Sequence, residues 1–353
     1  MPKVGAQVFN NDSELLQLSM EATHAVYNWE FDKTKVVATK IKEKIPGHPA
    51  NYFLEALTLY WQNFPFDFES EVYRKHMALL QKVSDKSEEV LEENPDDYEA
   101  KFFLLSAKSM MLRNWDDDGS TMKVIGELRE MYKLFVASSE LKKNYSEFSL
   151  PSGLYNFYRE FYAEEKPVYK PVLFFFKSGD VEEGMKEIKY AAENASYSKA
   201  EAYFYLCYIY YRYLDDSAKA LEFQHKLMEL YPNNLFYVFK SAEILVLEGK
   251  YQKAKPLIAK LCASDKVYYK LAGMTLSGLI EELYHKNNEK AWEIYAECED
   301  MLEKVNTPYA RFFKTYIYVG ISDFYHEKGD VHNAKKYYKL AKEFDEWGYL
   351  KSE

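Results

Sequence analysis

The sequence of 353 residues is poor in the residues that break regular structure. It has 13 Gly and 11 Pro, roughly 7% of the chain against an ordinary share of about 12%. Aromatic residues, in contrast, make up 17% of the chain. A chain with few turn formers and many large side chains to bury is not disordered, because it has enough apolar surface to form a core.

Cysteines and long apolar runs are also scarce. The three cysteines, Cys207, Cys262 and Cys298, exclude a complete disulfide framework, and none belongs to a C-x-x-C pair. The longest compact apolar run begins at Val172 and stops at Lys177, far short of the roughly 18 residues that a membrane span needs. We therefore predict no membrane span.

The chain has no block rich in Lys and Arg, and its formal net charge is -10. A nucleic-acid binder generally needs a basic patch that neutralises phosphates. From this charge balance we expect a partner that is a protein or peptide, and no nucleic acid.

The beginning of the chain leaves two locations open. No secretory signal with an apolar core is visible. Gly5-Ala6-Gln7 nevertheless resembles the end of a bacterial signal-peptidase site, directly before the first predicted helix. The expected location is either cytoplasmic, or periplasmic after removal of an export signal.

Apolar residues recur every three or four positions almost throughout the chain, which is typical of amphipathic helices. Short segments that combine Pro with Asn, Asp or Thr separate these blocks, as at Asn94-Pro95-Asp96-Asp97 and Asn306-Thr307-Pro308. Strand signals are nearly absent. The sequence therefore predicts an all-α protein of about 17 helices joined by short turns.

Three of the turns share one pattern, in which a Gly is followed five residues later by a small residue. They begin at Gly179, Gly249 and Gly329, and two further turns keep only the small residue. Gly is expected to allow the left-handed conformation that ends a helix. The small residue should let the next helix approach closely, and these small positions are Gly184, Ala220, Ala254, Ala291 and Ala334.

This pattern resembles the tetratricopeptide repeat (TPR), a helix-turn-helix unit of about 34 residues. The small positions lie 36, 34, 37 and 43 residues apart. The resemblance implies a TPR-like α-solenoid of antiparallel helix pairs that forms a right-handed superhelix. It also implies peptide binding in the inner, concave groove of that superhelix.

The middle of the chain carries a second resemblance. Pro151-Ser152-Gly153 precedes the run Leu173-Phe174-Phe175-Phe176, and Gly179 and Gly184 follow. These residues resemble the core of the Iml2-like family, the TPR proteins related to a yeast inclusion-body clearance protein and to bacterial relatives. The resemblance implies a helical fold and a role in protein handling or assembly, and it supplies no catalytic residues. The Ser152-Gly153 pair is read as the start of a helix.

The periodicity suggests three segments within one continuous body. Residues 1–144 are predicted to form irregular helical pairs, and residues 145–164 form a connector rich in Tyr and Phe. Residues 165–353 form the regular array, and the stretch Phe344–Tyr349 is expected to cap its end.

One acidic cluster deserves testing as a metal site. Asn114, Asp116, Asp118 and Gly119 match the first half of a calcium-binding EF-hand loop. The second half fails, because Ile125 stands where a bidentate Glu is needed. A polar turn between helices is therefore favoured.

Other catalytic signatures are missing from the sequence. The seven His residues form no H-E-x-x-H motif or Cys/His metal set, and no phosphate-binding loop or G-x-S-x-G motif exists. We expect no metal, no cofactor and no enzymatic activity.

Aromatic residues crowd the region near residue 205, and buried packing is one interpretation of them. In the repeat register, however, several polar and aromatic positions should face the inner groove. Tyr, Phe and Arg are favoured anchors of binding interfaces. The predicted groove residues come from three successive regions and are Tyr205, Arg212, Tyr213, Phe236, Phe239, Glu243, Tyr316, Asp323 and His326.

The sequence thus predicts a non-catalytic scaffold that binds a partner protein or peptide in its concave groove. Two alternatives stay open. One is a structural subunit of a larger, possibly cell-envelope, assembly that uses its convex face or its ends. The other is an enzyme or small-ligand protein whose site is assembled from distant helices.

Overall fold

A computed structural model describes residues 8–305 and 307–345. Within these residues the regular elements are α-helices and three short 3-10 helices, so the predicted all-α class is confirmed. The α-helices are α1 Val8–Asn11, α2 Ser13–Tyr27, α3 Phe31–Lys44, α4 Pro49–Asn63, α5 Glu71–Glu93, α6 Tyr98–Asp117, α7 Thr121–Leu141, α8 Ser149–Glu165, α9 Lys170–Leu173, α10 Val181–Asn194, α11 Lys199–Arg212, α12 Ser217–Leu230, α13 Leu235–Leu247, α14 Tyr251–Cys262, α15 Val267–Leu283, α16 Asn288–Leu302, α17 Arg311–Glu327 and α18 Val331–Phe344. The 3-10 helices are Ser146–Phe148, Pro167–Tyr169 and Pro308–Ala310.

Consecutive helices pack in pairs, which gives the TPR-like α-solenoid that the repeat pattern predicts. The small repeat residues lie at these contacts: Ala220 and Ala254 are fully buried. Gly278 and Gly320 lie on either side of the buried Tyr295 ring, where an added Cβ atom would fall 2.3 Å and 2.0 Å from ring carbons. Small residues thus set how closely neighbouring helices approach.

The turn glycines act in two different ways. Gly249 and Gly329 have φ values of 69° and 77°, as expected for glycines that end a helix in the left-handed region. Gly179 does not, and its expected role is corrected: an added Cβ atom there would lie 2.1 Å from the carbonyl oxygen of Asn156. Gly179 is required because the backbone at residue 179 lies directly against the backbone of α8.

The Ser152-Gly153 pair also has a different place from the one predicted. Helix α8 already begins at Ser149, so Gly153 lies inside it. An added Cβ atom on Gly153 would fall 2.8 Å from the carbonyl oxygen of Gly184 in α10. An added Cβ atom on Gly184 would likewise fall 2.8 Å from the carbonyl oxygen of Gly153. The two glycines of the middle motif therefore let α8 and α10 touch backbone to backbone.

The chain divides into two compact units, which we call the N-terminal unit, up to Tyr231, and the C-terminal unit, from Pro232. The predicted segments 1–144 and 145–164 both fall in the N-terminal unit. The boundary at 231 falls inside the predicted segment 165–353.

The N-terminal unit closes on itself, because its first long helix meets its last helices. The Ser19 hydroxyl lies 2.8 Å from the Tyr197 hydroxyl, and Tyr27 donates a hydrogen bond of 3.0 Å to Glu201. The ring of Tyr27 also lies 5.6 Å from that of Tyr231. Residues more than 170 positions apart in sequence thus complete one enclosing wall.

A buried carboxylate holds the closing segment in place. Glu147, only 1% exposed, accepts hydrogen bonds from the backbone amides of Ser196, Tyr197 and Ser198 at 2.6, 3.1 and 2.9 Å. It also accepts one from the Ser198 hydroxyl. These bonds fix Tyr197 and the start of α11 against the rest of the N-terminal unit.

No helix of the described ranges is long and apolar enough to cross a membrane. The predicted signal-peptidase remnant Gly5-Ala6-Gln7 lies outside the described residues. So does most of the predicted cap, of which only Phe344 and Asp345 are described.

Candidate functional site

The N-terminal unit surrounds a cavity of about 500 Å³. Its walls come mainly from α2, α4, α6, α7, α8 and α11, together with the segment around α9, and α1 and α3 add one residue each. Most lining side chains are aliphatic or aromatic. A concave space of this size with apolar walls and few polar groups is the usual form of a small-molecule site.

Helical spacing brings the lining residues to one face of each helix. On α2 these are Ser19, Thr23 and Tyr27, four residues apart. Glu201 and Tyr205 have the same spacing on α11. Residues four apart lie on the same side of a helix, so each helix contributes a stripe of side chains to the wall.

A polar cluster interrupts the apolar wall, and it consists of Tyr27, Tyr60, Arg113, Glu201 and Tyr205. Arg113 Nη2 donates a hydrogen bond of 2.7 Å to the Tyr60 hydroxyl, and the guanidinium lies 5.2 Å from the centre of the same ring. Burial raises the pKa of both Tyr60 and Tyr205, although Arg113 partly opposes this effect. The two phenols therefore stay protonated and can act as donors.

A second cationic group, Arg159 of α8, also lines the cavity. Its Nη2 donates to the carbonyl oxygen of Phe176 at 3.2 Å. Its Nε is buried and has no hydrogen-bond partner among the described residues. The nearby ring of Phe176 stacks on Tyr132 with a centroid distance of 4.2 Å. This N–H is a donor that an acceptor on a ligand could use.

Of the predicted groove residues in the N-terminal unit, only Tyr205 lines the cavity. Tyr213 packs against the rings of Phe157 and Phe161, at 5.4 and 5.1 Å, and its hydroxyl donates to Glu165. Arg212 is exposed at the end of α11. The three residues therefore do not form one surface.

Three predicted residues lie on α13 of the C-terminal unit. Phe239 is 2% exposed, with its ring 5.5 Å from that of Phe313, and Glu243 is 4% exposed and paired with Lys240 at 2.6 Å. Both are packed inside the unit in this structure. Phe236 is half-buried.

The last three predicted residues lie on α17. Tyr316 is half-buried with its ring 4.8 Å from that of Phe312, whereas Asp323 and His326 are exposed. The structure thus distributes the predicted set over two units, and whether these residues bind a partner stays a prediction.

The acidic cluster at the end of α6 forms a polar turn. Tyr73 donates a hydrogen bond of 3.0 Å to Asp118, and Tyr169 donates one of 2.7 Å to Asp116. Gly119 has a φ of 79°. No group of three or more His, Cys, Asp or Glu side chains suited to a metal occurs in the part of the chain that the structure describes.

Sequence reasoning missed most of the cavity, including Tyr60, Arg113 and Arg159. On α6, Ser106, Ser109 and Arg113 recur at three- and four-residue spacing beside apolar residues such as Leu105 and Met110. Because polar residues at this spacing are also typical of the solvent-facing side of a helix, the pattern alone does not identify a cavity.

Comparison with known proteins gives structural matches only. No family model matches the chain, and no curated protein matches it in sequence. A structure of a human IFIT1 dimer with PPP-AAAA is 15% identical and covers 89% of this chain and 68% of that one, with a TM-score of 0.40. A structure of the human IFIT1 dimer with m7Gppp-AAAA is 14% identical and covers 89% of this chain and 68% of that one, with a TM-score of 0.40. Yeast Tom70 gives 13% identity over 96% and 93% of the two chains, with a TM-score of 0.26.

These neighbours are TPR-containing helical-repeat proteins, whereas the Iml2-like resemblance has no support among them. They also correct one prediction, the exclusion of nucleic acid. Human IFIT1 is an α-helical repeat protein that binds RNA. A net charge of the whole chain does not describe the charge of a local site, so the prediction of no nucleic acid, which rested on that charge, was wrong.

Proposed function

We propose that this chain is a non-catalytic binding protein whose N-terminal unit holds an apolar ligand in its central cavity. The observation that carries the proposal is the partly open, aromatic-lined cavity of about 500 Å³. TPR-like binding proteins among the structural neighbours support a binding role in general.

The size of the cavity sets the size of the ligand. If each atom group takes about as much volume as a water molecule, roughly 30 Å³, the space holds about 17 non-hydrogen atoms. If each atom contributes about 0.3 kcal/mol, the free energy of binding is about -5 kcal/mol, which corresponds to a Kd of about 0.1–0.2 mM. Hydrogen bonds to the polar cluster would tighten this value.

The polar cluster favours a ligand with one hydrogen-bonding end. Arg113 and the two buried phenols supply donors, and Glu201 supplies an acceptor. Because a cationic and an anionic side chain lie together, the cluster suits a neutral polar or zwitterionic group better than a bare anion. The rest of the ligand would lie against Phe53, Phe135 and the aliphatic side chains of the wall.

A second occupant of the same cavity is an apolar segment of a partner protein, as the sequence predicts for a concave TPR surface. Tyr205 favours it, because this predicted anchor lines the cavity. Tyr presents a large area and a polar end at low entropic cost, which suits peptide recognition.

The test fills the cavity from within. In the double variant Ser106→Phe/Ser109→Phe, two rings project from α6 into the space without removing a core side chain. The matched control is Ser139→Phe on α7, which adds the same ring at an exposed position of the same unit. We expect the neutral fluorescent probe N-phenyl-1-naphthylamine to bind the wild type and the control, and to bind the double variant at least tenfold more weakly.

Competition identifies the occupant. Dodecanol, a peptide library rich in aromatic residues, and the oligonucleotide PPP-AAAA are each added to the probe complex. Displacement by dodecanol supports the proposal, displacement by peptides alone supports the second candidate, and displacement by the oligonucleotide alone would assign the cavity to RNA. Equal probe binding by all three proteins would show that the cavity is not a binding site.

A further inference from the structure

We infer that the segment Lys166–Ser178 docks the N-terminal unit on the surface of an anionic lipid bilayer. This inference is independent of the ligand in the cavity. It rests on a small, rigidly held apolar projection that is surrounded by lysines. The segment contains α9 and lies between α8 and α10.

The projection consists of two adjacent phenylalanines and a valine. Phe174 and Phe175 are 82% and 80% exposed, the largest exposed fractions of any large apolar side chain in the described ranges, and Val168 is 55% exposed. The two Phe rings lie 5.6 Å apart and nearly perpendicular. Soluble proteins rarely expose neighbouring large apolar side chains unless the surface meets an apolar partner.

The opposite side of the same segment is firmly anchored. Tyr169 and Leu173 are buried with Val124 in one cluster, against which Phe176 packs. Tyr169 also donates to Asp116, and Tyr155 donates to the carbonyl oxygen of Lys177 at 2.5 Å. Because the backbone is already held, burial of Phe174 and Phe175 in a partner requires little further ordering of the chain.

Charge identifies the partner. Between residues 166 and 178 the sequence has three lysines, Lys166, Lys170 and Lys177, and no acidic residue. All three are exposed, in a chain whose net charge is -10. Lys166 forms an ion pair with Asp116 at 3.4 Å, so Lys170 and Lys177 are the lysines that can meet lipid phosphates. Lysines beside exposed aromatic residues form the combination by which peripheral proteins bind anionic membranes, since the aromatic rings enter the interface while the lysines attract lipid phosphates.

Three acidic residues that flank the segment accept hydrogen bonds from other groups of the unit. Glu165 accepts a hydrogen bond from Tyr213, and Glu160 accepts one of 2.8 Å from the backbone amide of Gly179. The Asp180 carboxylate accepts a hydrogen bond of 3.0 Å from the backbone amide of Glu183 at the start of α10. Lys170 and Lys177 lie within five residues of the two exposed rings, and the sequence has no acidic residue between 166 and 178.

The docked segment would also bring lipid close to the cavity. Leu173 and Phe176 line the cavity wall, whereas Phe174 and Phe175 between them point to solvent. One short stretch of chain thus belongs to the cavity on one side and to the exposed projection on the other.

The experiment measures vesicle co-sedimentation of the whole chain. Vesicles contain either phosphatidylcholine alone or a 7:3 mixture of phosphatidylcholine and phosphatidylglycerol. We compare the wild type with Phe174→Ser/Phe175→Ser, which removes no buried side chain. The control is Met122→Ser, which removes another apolar side chain, 78% exposed, from the same unit.

We expect the wild type and the control to bind the anionic vesicles. The double variant should bind at least tenfold more weakly, which corresponds to about 1.4 kcal/mol. Binding of the wild type should weaken in high salt, because the lysine contribution is screened. In Phe175→Trp the added indole should enter the bilayer interface, so brominated lipids should quench the tryptophan fluorescence of this variant more than that of the wild type.

Three results would overturn the inference. The first is no binding of the wild type to anionic vesicles at low salt. The second is equal binding by the double variant, which would place the contact elsewhere. The third is concentration-dependent dimerisation in analytical ultracentrifugation that the double variant abolishes, because the projection would then be an interface between two copies of the chain.

Discussion

Replacing Gly184 by Ala tests whether the contact between α8 and α10 builds the N-terminal unit. The added Cβ atom would lie 2.8 Å from the Gly153 carbonyl oxygen and 2.9 Å from the Phe157 backbone nitrogen. Both are backbone atoms, so no side chain can rotate away and the two helices must separate. Overpacking of this kind costs about 1–3 kcal/mol, and the better helix propensity of Ala returns up to about 1 kcal/mol.

The net loss of about 1–2 kcal/mol should lower the melting temperature of a unit of this size by roughly 2–8 °C. Circular dichroism and calorimetry would measure it, and we expect the shift in the transition of the N-terminal unit. Since α8 carries Leu154, Tyr158 and Arg159 into the cavity, binding of the naphthylamine probe should weaken as well.

The matched control is Gly126→Ala on α7, where an added Cβ atom meets nothing within 4 Å. This substitution should leave stability unchanged or raise it by up to about 1 kcal/mol, because Ala favours the helix over Gly. If Gly184→Ala were as stable as Gly126→Ala, the backbone contact would not determine the packing of these helices and the reasoning would fail.

Two further predictions concern buried polar groups of the N-terminal unit. Burial lowers the pKa of His76 to about 4, below the value of about 6.5 in the unfolded chain. As the pH falls, the unfolded state therefore takes up the proton first, and the free energy of unfolding decreases between pH 6.5 and 4. Urea titrations should show that His76→Phe reduces this decrease by up to about 3 kcal/mol. Glu147→Ala leaves three amides of residues 196–198, one buried and two partly buried, without their acceptor and should cost about 2–3 kcal/mol in urea unfolding. Glu147→Gln keeps an acceptor oxygen and should cost less; equal losses would contradict the assigned role.

The helical fold could be read from the sequence because its signals are local. A positive φ at Gly249 and Gly329, and buried small residues such as Ala220 and Ala254, follow from positions within one turn or one helix. Gly179 shows where this reasoning stops. The sequence pattern alone cannot distinguish a glycine needed for its φ angle from one needed because another helix lies against it.

The candidate site could not be read in the same way, because no single repeat contains it. The polar cluster joins Tyr60 of α4, Arg113 of α6 and Glu201 of α11. A TPR register assigns inner and outer faces for an open array, in which each repeat contacts only its neighbours. Phe239 was expected at the groove on that basis, and the structure instead packs it beside Phe313.

Closure of the N-terminal unit explains the missed cavity and the aromatic residues that line it. An open array exposes its inner face to water, so its inner side chains can be small or polar. Here Tyr197, Glu201 and Tyr231 meet the first helices of the unit, and the inner face becomes the wall of a partly open cavity. Large rings can cover such a wall, while their hydroxyl groups satisfy the few polar atoms that it buries. The same residues that close the unit thereby create the space in which an apolar ligand can be held.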